Sequence, residues 1–152
     1  MTVAERYFDA LSRADIDTAL ACFTEDAVYH DLLLGPASGH GQIRTLLERM
    51  TTEVATLSIT PDRTAGDGGI EFAEWTCRYI LAAPSEAASG TPVTFRGVSV
   101  LETVGGRCFL YREHFNVGKL LLDMGLDAPS LHTALSRTPV GAARARSGAS
   151  TP

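Results

Sequence analysis

The sequence is poor in the features that would assign it to several large functional classes. It has three cysteines, Cys22, Cys77 and Cys108, an odd number without CxxC spacing. Such a set reads as isolated thiols in a reducing compartment and offers no disulfide framework. Its four histidines are scattered and make no metal-ligand pattern with the cysteines, so no metal is expected. Positive charge is scarce as well: 13 Lys and Arg against 18 Asp and Glu give a net charge of -5, and the pI is near 5.3. The largest basic cluster is Arg137, Arg144 and Arg146, too little for a nucleic-acid or anionic-membrane partner. No apolar run approaches the roughly 20 residues that span a bilayer, and the N-terminus starts an amphipathic helix rather than a signal sequence. A cytoplasmic location is the resulting expectation.

What the chain does have is a hydrophobic fraction of 45% over 152 residues, enough for one domain with a sizeable core. Helical spacing comes first. Thr2 and Glu5 form a capping-box signal, and Val3, Tyr7, Ala10, Leu11 and Ala14 recur on one face, which turns Tyr7 inward. Asp15 can cap a second short helix carrying Ile16, Ala19, Leu20 and Phe23. Beyond a Gly-Pro-rich loop, 35–41, a third helix carries Ile43, Leu46, Leu47 and Met50. From Val54 the period becomes two. Four strands are predicted, at 54–60, 70–82, 93–103 and 107–117, separated by the turn-rich segments 61–69, 84–92 and Gly105-Gly106. Turns of this kind join neighbouring strands into an antiparallel meander. The predicted architecture is therefore α+β: a curved, mostly antiparallel sheet wrapped around three N-terminal helices and open at one end as a cone. The leucine-rich segment 119–135 is predicted to form short helices that close the mouth or pack on a partner. The domain is expected to span residues 1–135. Residues 136–152, composed of Ala, Arg, Gly, Ser, Thr and Pro, are expected to be a disordered tail.

Two stretches carry chemistry. In Phe23–Asp31, FTEDAVYHD, strand alternation puts Ala27, Tyr29 and Asp31 on one face with Leu33, so a phenol and an acid lie side by side. In a water-poor cavity Asp31 is a candidate proton carrier with Tyr29 as its hydrogen-bonding neighbour. In the last strand Phe109, Tyr111, Glu113, Phe115 and Val117 share a face that is apolar apart from Glu113, while Arg112, His114 and Asn116 share the other. A glutamate buried on such a wall gains a raised pKa and can exchange protons near neutrality. His114 reaches the pocket only if a bulge slips the register by one residue, in which case His30 is a weak further candidate. His40 reads as a helix-entry residue. Trp75, Cys77, Tyr79 and Leu81 share a strand face as apolar wall, and Ser99 has no GxSxG elbow around it.

At these residues the chain resembles the nuclear transport factor 2-like superfamily, whose members include ketosteroid isomerases, limonene-type epoxide hydrolases and SnoaL-type polyketide cyclases. The resemblance covers about residues 1–126. It implies a cystatin-like α+β barrel with a cone-shaped pocket, a homodimer and chemistry without a cofactor. Against the ketosteroid isomerases, Arg6-Tyr7 is similar to a helix-one Arg-Tyr pair, which implies Tyr7 as an oxyanion donor, and Asp31 matches the proton-carrying aspartate. The handling of protons by carboxyl groups of shifted pKa is the established logic of that enzyme. Its second donor, a protonated aspartate, falls at Ser99. Against the epoxide hydrolases, FTEDAVYHD and YREHFN imply Tyr29 as the group holding the nucleophilic water and Glu113 as its base. That family's arginine and acid fall on Trp75 and Cys77, neither of which supplies a proton, so Asp31 has to do so. The expectation is an acid–base enzyme acting on a hydrophobic small molecule, an epoxide-opening hydrolase or cyclase of secondary metabolism. Asp31, Glu113, Tyr29 and Tyr7 are its catalytic candidates, and Trp75, Cys77, Ser99, Tyr111, Phe115 and His114 its substrate-binding candidates. The alternatives are a double-bond isomerase and a non-catalytic ligand-binding or dimerisation module.

Overall fold

A computed structural model describes residues 1–82 and 92–137. Helices α1 (Val3–Ser12) and α2 (Ile16–Ala21) lead into strand β1 (Phe23–Asp31), a short strand β2 (Gly35–Ser38) and helix α3 (Gly39–Thr52). Strands β3 (Val54–Gly66), β4 (Ile70–Leu81), β5 (Val93–Val104) and β6 (Arg107–Phe115) follow, then helices α4 (Val117–Asp123) and α5 (Ala128–Ser136). The six strands form one curved sheet in the order β2-β1-β6-β5-β4-β3. The α+β architecture expected from the sequence is the one observed. No helix among the described residues is long and apolar enough to cross a membrane.

The meander from β3 to β6 is antiparallel throughout, whereas β1 runs parallel to β6 and pairs Tyr29 with Tyr111. Parallel neighbours need a long connection, and here it consists of α3 and four intervening strands. Helix α1 lies against β3 and β4, and its apolar face enters the concave side of the sheet through Tyr7, Phe8 and Leu11, all buried. The start of α1 is anchored at every orphan donor of its first turn. Thr2 Oγ1 accepts the Glu5 N–H at 3.1 Å and Glu5 Oε2 accepts the Thr2 N–H at 2.8 Å, the capping box read from the sequence. Glu71 of β4 accepts the Val3 and Ala4 N–H groups at 3.2 and 3.1 Å. The tilt of α1, and with it the depth of Tyr7, is thus fixed by a carboxylate on the sheet.

Several predicted boundaries move. Residues 35–38 form an edge strand paired with β1 rather than the start of a loop, because Gly35, at φ +86°, closes a tight hairpin after Asp31. Helix α3 therefore starts at Gly39, inside the expected loop, and His40 sits in its first turn with Nε2 3.1 Å from the Phe23 carbonyl oxygen. Phe23 belongs to β1 rather than to the second helix. Strand β3 continues past Thr60 to Gly66, with Pro61 at a register shift. On an outer strand a missing N–H is tolerated. The last strand stops at Phe115 because the Asn116 side chain turns back to accept the Lys119 N–H and caps α4. Helix α5 runs through Ser136, one residue beyond the expected domain end. The expected loop at 84–92, apart from Pro92, and the expected tail beyond Arg137 lie outside the described residues.

Replacing Glu71 with Ala removes two acceptors from the first turn of α1. It should cost about 1–2 kcal/mol in chemical denaturation, the range measured for lost helix caps. A loss below a few tenths would show that water satisfies the same donors.

Candidate active site

The concave side of the sheet encloses about 920 Å³ of empty space counted out to its open mouth, within the range of small-molecule sites. Its wall is aromatic along the strands, with Trp75, Tyr79, Phe95, Tyr111 and Phe115. The helical side and the rim are aliphatic, with Leu11, Met50, Leu57, Ile59, Leu120 and Met124 among the side chains there. Asp31 and Glu113 are among the residues that line this space. The third acid, Glu53, is paired with Arg49 by a hydrogen bond of 2.7 Å. None of the lining residues is Lys, Arg or His.

The parallel seam between β1 and β6 is what brings the two inner acids together. Tyr29 stands opposite Tyr111, their rings stacked with centroids 4.2 Å apart. Two residues further along each strand, on the same face, come Asp31 and Glu113. Asp31 is 6% exposed and Glu113 7%. Burial is the largest influence on both and pushes both carboxyl groups above the ordinary range. Their environments then part. Asp31 Oδ1 accepts the Leu34 and Leu33 N–H groups at 2.6 and 2.7 Å, bonds that favour the carboxylate. Glu113 is pushed well above its ordinary value by burial and by the neighbouring Asp31 charge, with partial relief from the Leu32 N–H. The neighbouring carboxyl groups act on each other in opposite senses, lowering Asp31 and raising Glu113. These directions favour the proton on Glu113 over Asp31.

The direction differs from the roles implied by the resemblance, in which Asp31 gives the proton and Glu113 takes one. The cause is local. The hairpin after β1 points its first amides at Asp31, an Asx turn of the kind an Asp ahead of a Gly can form. No equivalent pair of amides meets Glu113.

The tyrosines occupy the inner end. Tyr7 and Tyr29 are fully buried and their hydroxyl oxygens lie 3.0 Å apart, so Tyr29 pairs with Tyr7 and not with Asp31 as expected. Burial pushes Tyr7, Tyr29 and Tyr111 well above the usual phenol range, and they stay neutral hydroxyl groups. Cys77 lines the pocket with its thiol pushed up to about 12 by burial and is inert as a nucleophile. Ser99, a substrate-binding candidate, lies behind the wall, fully buried. Its hydroxyl is 2.8 Å from Trp75 Nε1 and 2.6 Å from the Tyr111 hydroxyl.

His114 is a correction: it is exposed on the outer face of β6 and is absent from the pocket lining. The bulge that might have turned it inward exists, but at Phe109. Thr103 pairs with Cys108 and Glu102 with Leu110, leaving Phe109 unpaired. Cys108 is buried there and Phe109 is 40% exposed, the reverse of strict alternation. From Tyr111 onward alternation is undisturbed, so Glu113 faces in and His114 out. His30 also faces outward.

Against this geometry the comparisons are specific about family. The SnoaL-like domain family matches residues 4–111, more than half of the chain. The chain belongs to that family. Among characterised relatives, an epoxide hydrolase of Mycobacterium tuberculosis named EphG is 29% identical over 136 residues, 86% of each chain. A solved LEH-like epoxide hydrolase from M. tuberculosis is similar at a TM-score of 0.66 and 27% identity, over 80% of this chain and 85% of that one. A putative polyketide cyclase from Xanthomonas campestris matches at a TM-score of 0.69 and 18% identity, over 81% and 94%, which shows the shared fold. The SnoaL-like core thus includes every strand that carries the candidate acids except the end of β6 after Tyr111, where Glu113 lies.

The raised Glu113 has a signed consequence for stability. A carboxyl group whose folded pKa lies above its unfolded one holds more protons folded than unfolded in the interval between them, so stability falls as pH rises through that interval. Glu113→Gln should raise the melting temperature at pH 8 and flatten the fall between pH 5 and 8. At this chain length each kcal/mol recovered is worth about 2–4 °C. A variant melting in parallel with the parent across that range would show that Glu113 is not the group holding the proton.

Proposed function

We propose that this protein is a cofactor-independent acid–base enzyme that opens an epoxide in a hydrophobic small molecule, using water or the substrate's own hydroxyl as nucleophile. A substrate of polyketide or terpenoid type is the chemistry that suits the wall. The observation that carries the reading is the buried pair of carboxyl groups in an apolar cavity whose unequal surroundings, two backbone amides on Asp31 and no such pair on Glu113, favour a carboxylate on the first and a proton on the second. Epoxide opening needs both at once: a base for the incoming O–H and an acid for the oxygen that leaves carbon. A mere carrier of apolar ligands gains nothing from desolvating two carboxyl groups.

In the proposed reaction the Tyr7–Tyr29 hydroxyl pair positions the nucleophile and Asp31 takes its proton. The new C–O bond forms as the epoxide C–O bond breaks, and Glu113 delivers its proton to the departing oxygen. The cycle leaves Asp31 protonated and Glu113 ionised, and transfer of a proton between these neighbouring groups restores the resting state. No atom is left unbalanced. None of the described lining residues is Lys, Arg or His, which favours a substrate that is neutral where it meets the pair. The isomerase alternative would retain Tyr7 and Asp31 but lacks its second oxyanion donor, because the Ser99 hydroxyl is engaged in the wall by Trp75 and Tyr111.

The test is turnover of lipophilic, uncharged epoxides in ¹⁸O-water, with product analysis for the labelled diol or an unlabelled ring. Asp31→Asn should lower kcat by about 10²–10⁴-fold, the usual contribution of a positioned base, without lowering the melting temperature. Full activity in that variant removes Asp31 from the reaction. Tyr29→Phe should chiefly weaken positioning, with a smaller loss than Asp31→Asn. A loss as large as that of Asp31→Asn would give the phenol itself a proton-transfer role.

A further inference from the structure

Behind the cavity wall a line of polar groups runs through an otherwise apolar core and ends on Glu113. It starts at Trp75. The indole lies across β5 because its cross-strand partner is Gly97, where a Cβ would stand 2.5 Å from Trp75 Cζ2. Laid flat in that gap, the ring aims Nε1 at Ser99, two residues further along β5, at 2.8 Å. Ser99 Oγ is in turn 2.6 Å from the Tyr111 hydroxyl, and the Tyr111 hydroxyl is 3.5 Å from Glu113 Oε2.

The direction of this line follows from its two ends: the indole N–H can only donate to Ser99, and the Tyr111 hydroxyl donates to Glu113, which leaves Tyr111 to accept the serine proton. The last link is long for an O–H···O bond, which suits a resting state in which Glu113 keeps its proton and directs it at Asp31. It is short enough to close once that proton has gone and a negative charge appears in a buried, largely apolar site.

We propose that Trp75, Ser99 and Tyr111 form a one-directional hydrogen-bond relay that receives the charge left on Glu113 when it protonates the departing oxygen. The inference rests on Glu113 as the acid of the proposed reaction. Tyr111 is the group that touches Glu113. Ser99 and Trp75 are positioning residues that orient and polarise its hydroxyl. No proton is transferred along the relay: the Glu113 O–H bond breaks, its proton goes to the substrate oxygen, and the Tyr111 O–H swings onto the new carboxylate. Such a donor acts on the state with developed charge and little on the resting acid, which is where a catalyst gains rate.

The titratable and hydroxyl groups around Glu113 are Asp31 and Tyr29 from β1, Tyr7 from α1, Cys77 from β4 and Tyr111 from β6. The tyrosines and Cys77 are neutral, so Asp31 is the one coupled charge and the readout belongs to the pair. The experiment follows the infrared C=O stretch of the protonated carboxyl, identified as the band lost in Glu113→Gln, against pH in the full chain without substrate. Ser99→Ala should raise the higher of the two apparent midpoints by about 0.3–1 pH unit, a two- to tenfold weaker acid. Ser99→Thr, which keeps the hydroxyl, should leave it in place. Trp75→Phe should shift it in the same direction, and the double variant Ser99→Ala/Trp75→Phe no further than Ser99→Ala alone. A midpoint unmoved or lowered in Ser99→Ala, an equal shift in Ser99→Thr, or no shift in Trp75→Phe overturns the relay. Should Ser99→Ala not fold, Trp75→Phe against the parent decides the same point. Because the titration needs no substrate, failure to turn over epoxides would remove the reaction and leave the relay to stand or fall on its own midpoints.

Discussion

The parallel pairing of β1 with β6 is the constraint on which the rest of this molecule depends. Asp31 and Glu113 are 82 positions apart in the chain, and no local propensity brings them together. The register that sets Tyr29 against Tyr111 does so, and it carries the acids with it two residues later on the same face. Slipping either strand by one residue would turn one carboxyl group out to solvent and dissolve the pair. The register is held by what surrounds it: the stacked tyrosines on the inner face, and the Phe109 bulge, which absorbs the mismatch at the β5–β6 turn before it can reach Tyr111.

Placing two acids in an apolar hollow opposes folding, and the structure shows how the opposition is limited. Two ionised carboxylates side by side would repel and lose their hydration, whereas one carboxylate and one carboxylic acid can share a hydrogen bond. The remaining charge on Asp31 is met by backbone amides, dipoles that need no counter-ion and do not compete with a ligand. The stabilising side lies elsewhere, in the interlocked aromatic rings of Tyr7, Phe8, Phe23, Tyr29, Trp75 and Tyr111 and in the anchored start of α1. A cavity of this kind therefore has a rigid inner end, where chemistry needs fixed geometry, and an aliphatic rim of Met and Leu that can adapt to the bulk of a ligand.

Much of this was legible in the sequence because it depends on short-range periodicity. The capping box at Thr2 and Glu5, the inward Tyr7, the Tyr29–Asp31 face and the Tyr111–Glu113–Phe115 face each follow from a period of 3.6 or 2 and appear where they were expected. The missed parts depend on backbone geometry at single residues. Gly35 at positive φ converted an expected loop into β2, and Phe109 bulged where alternation predicted an inward side chain. Neither the parallel seam nor the Trp75–Ser99–Tyr111 line has a local signature, since the partners come from three strands and meet through register. The amides that hold Asp31 could have been anticipated: an aspartate four residues before Gly35-Pro36 is a turn-former, and its side chain can cap its own hairpin. Reading Asp31 only as a strand residue concealed that.

The amides bear on the proposed mechanism, because they favour the carboxylate on Asp31. Family resemblance transfers positions, while protonation is set by the immediate surroundings of each oxygen. In this chain the turn after β1 gives Asp31 two short N–H donors, and burial next to that charge leaves Glu113 the cheaper site for the proton. A base on the turn side and an acid on the relay side is therefore the arrangement with the lower resting energy. It also separates the stabilisation of the two charged states. Leu33 and Leu34 serve the carboxylate present before reaction, and Tyr111 serves the carboxylate that the proposed proton transfer creates. Moving a proton from the nucleophile to Asp31 and from Glu113 to the leaving oxygen then exchanges one solvated-by-backbone anion for one solvated by a hydroxyl chain. The total charge of the cavity is unchanged throughout, and in a medium that screens charge poorly this keeps the barrier from rising with each proton moved.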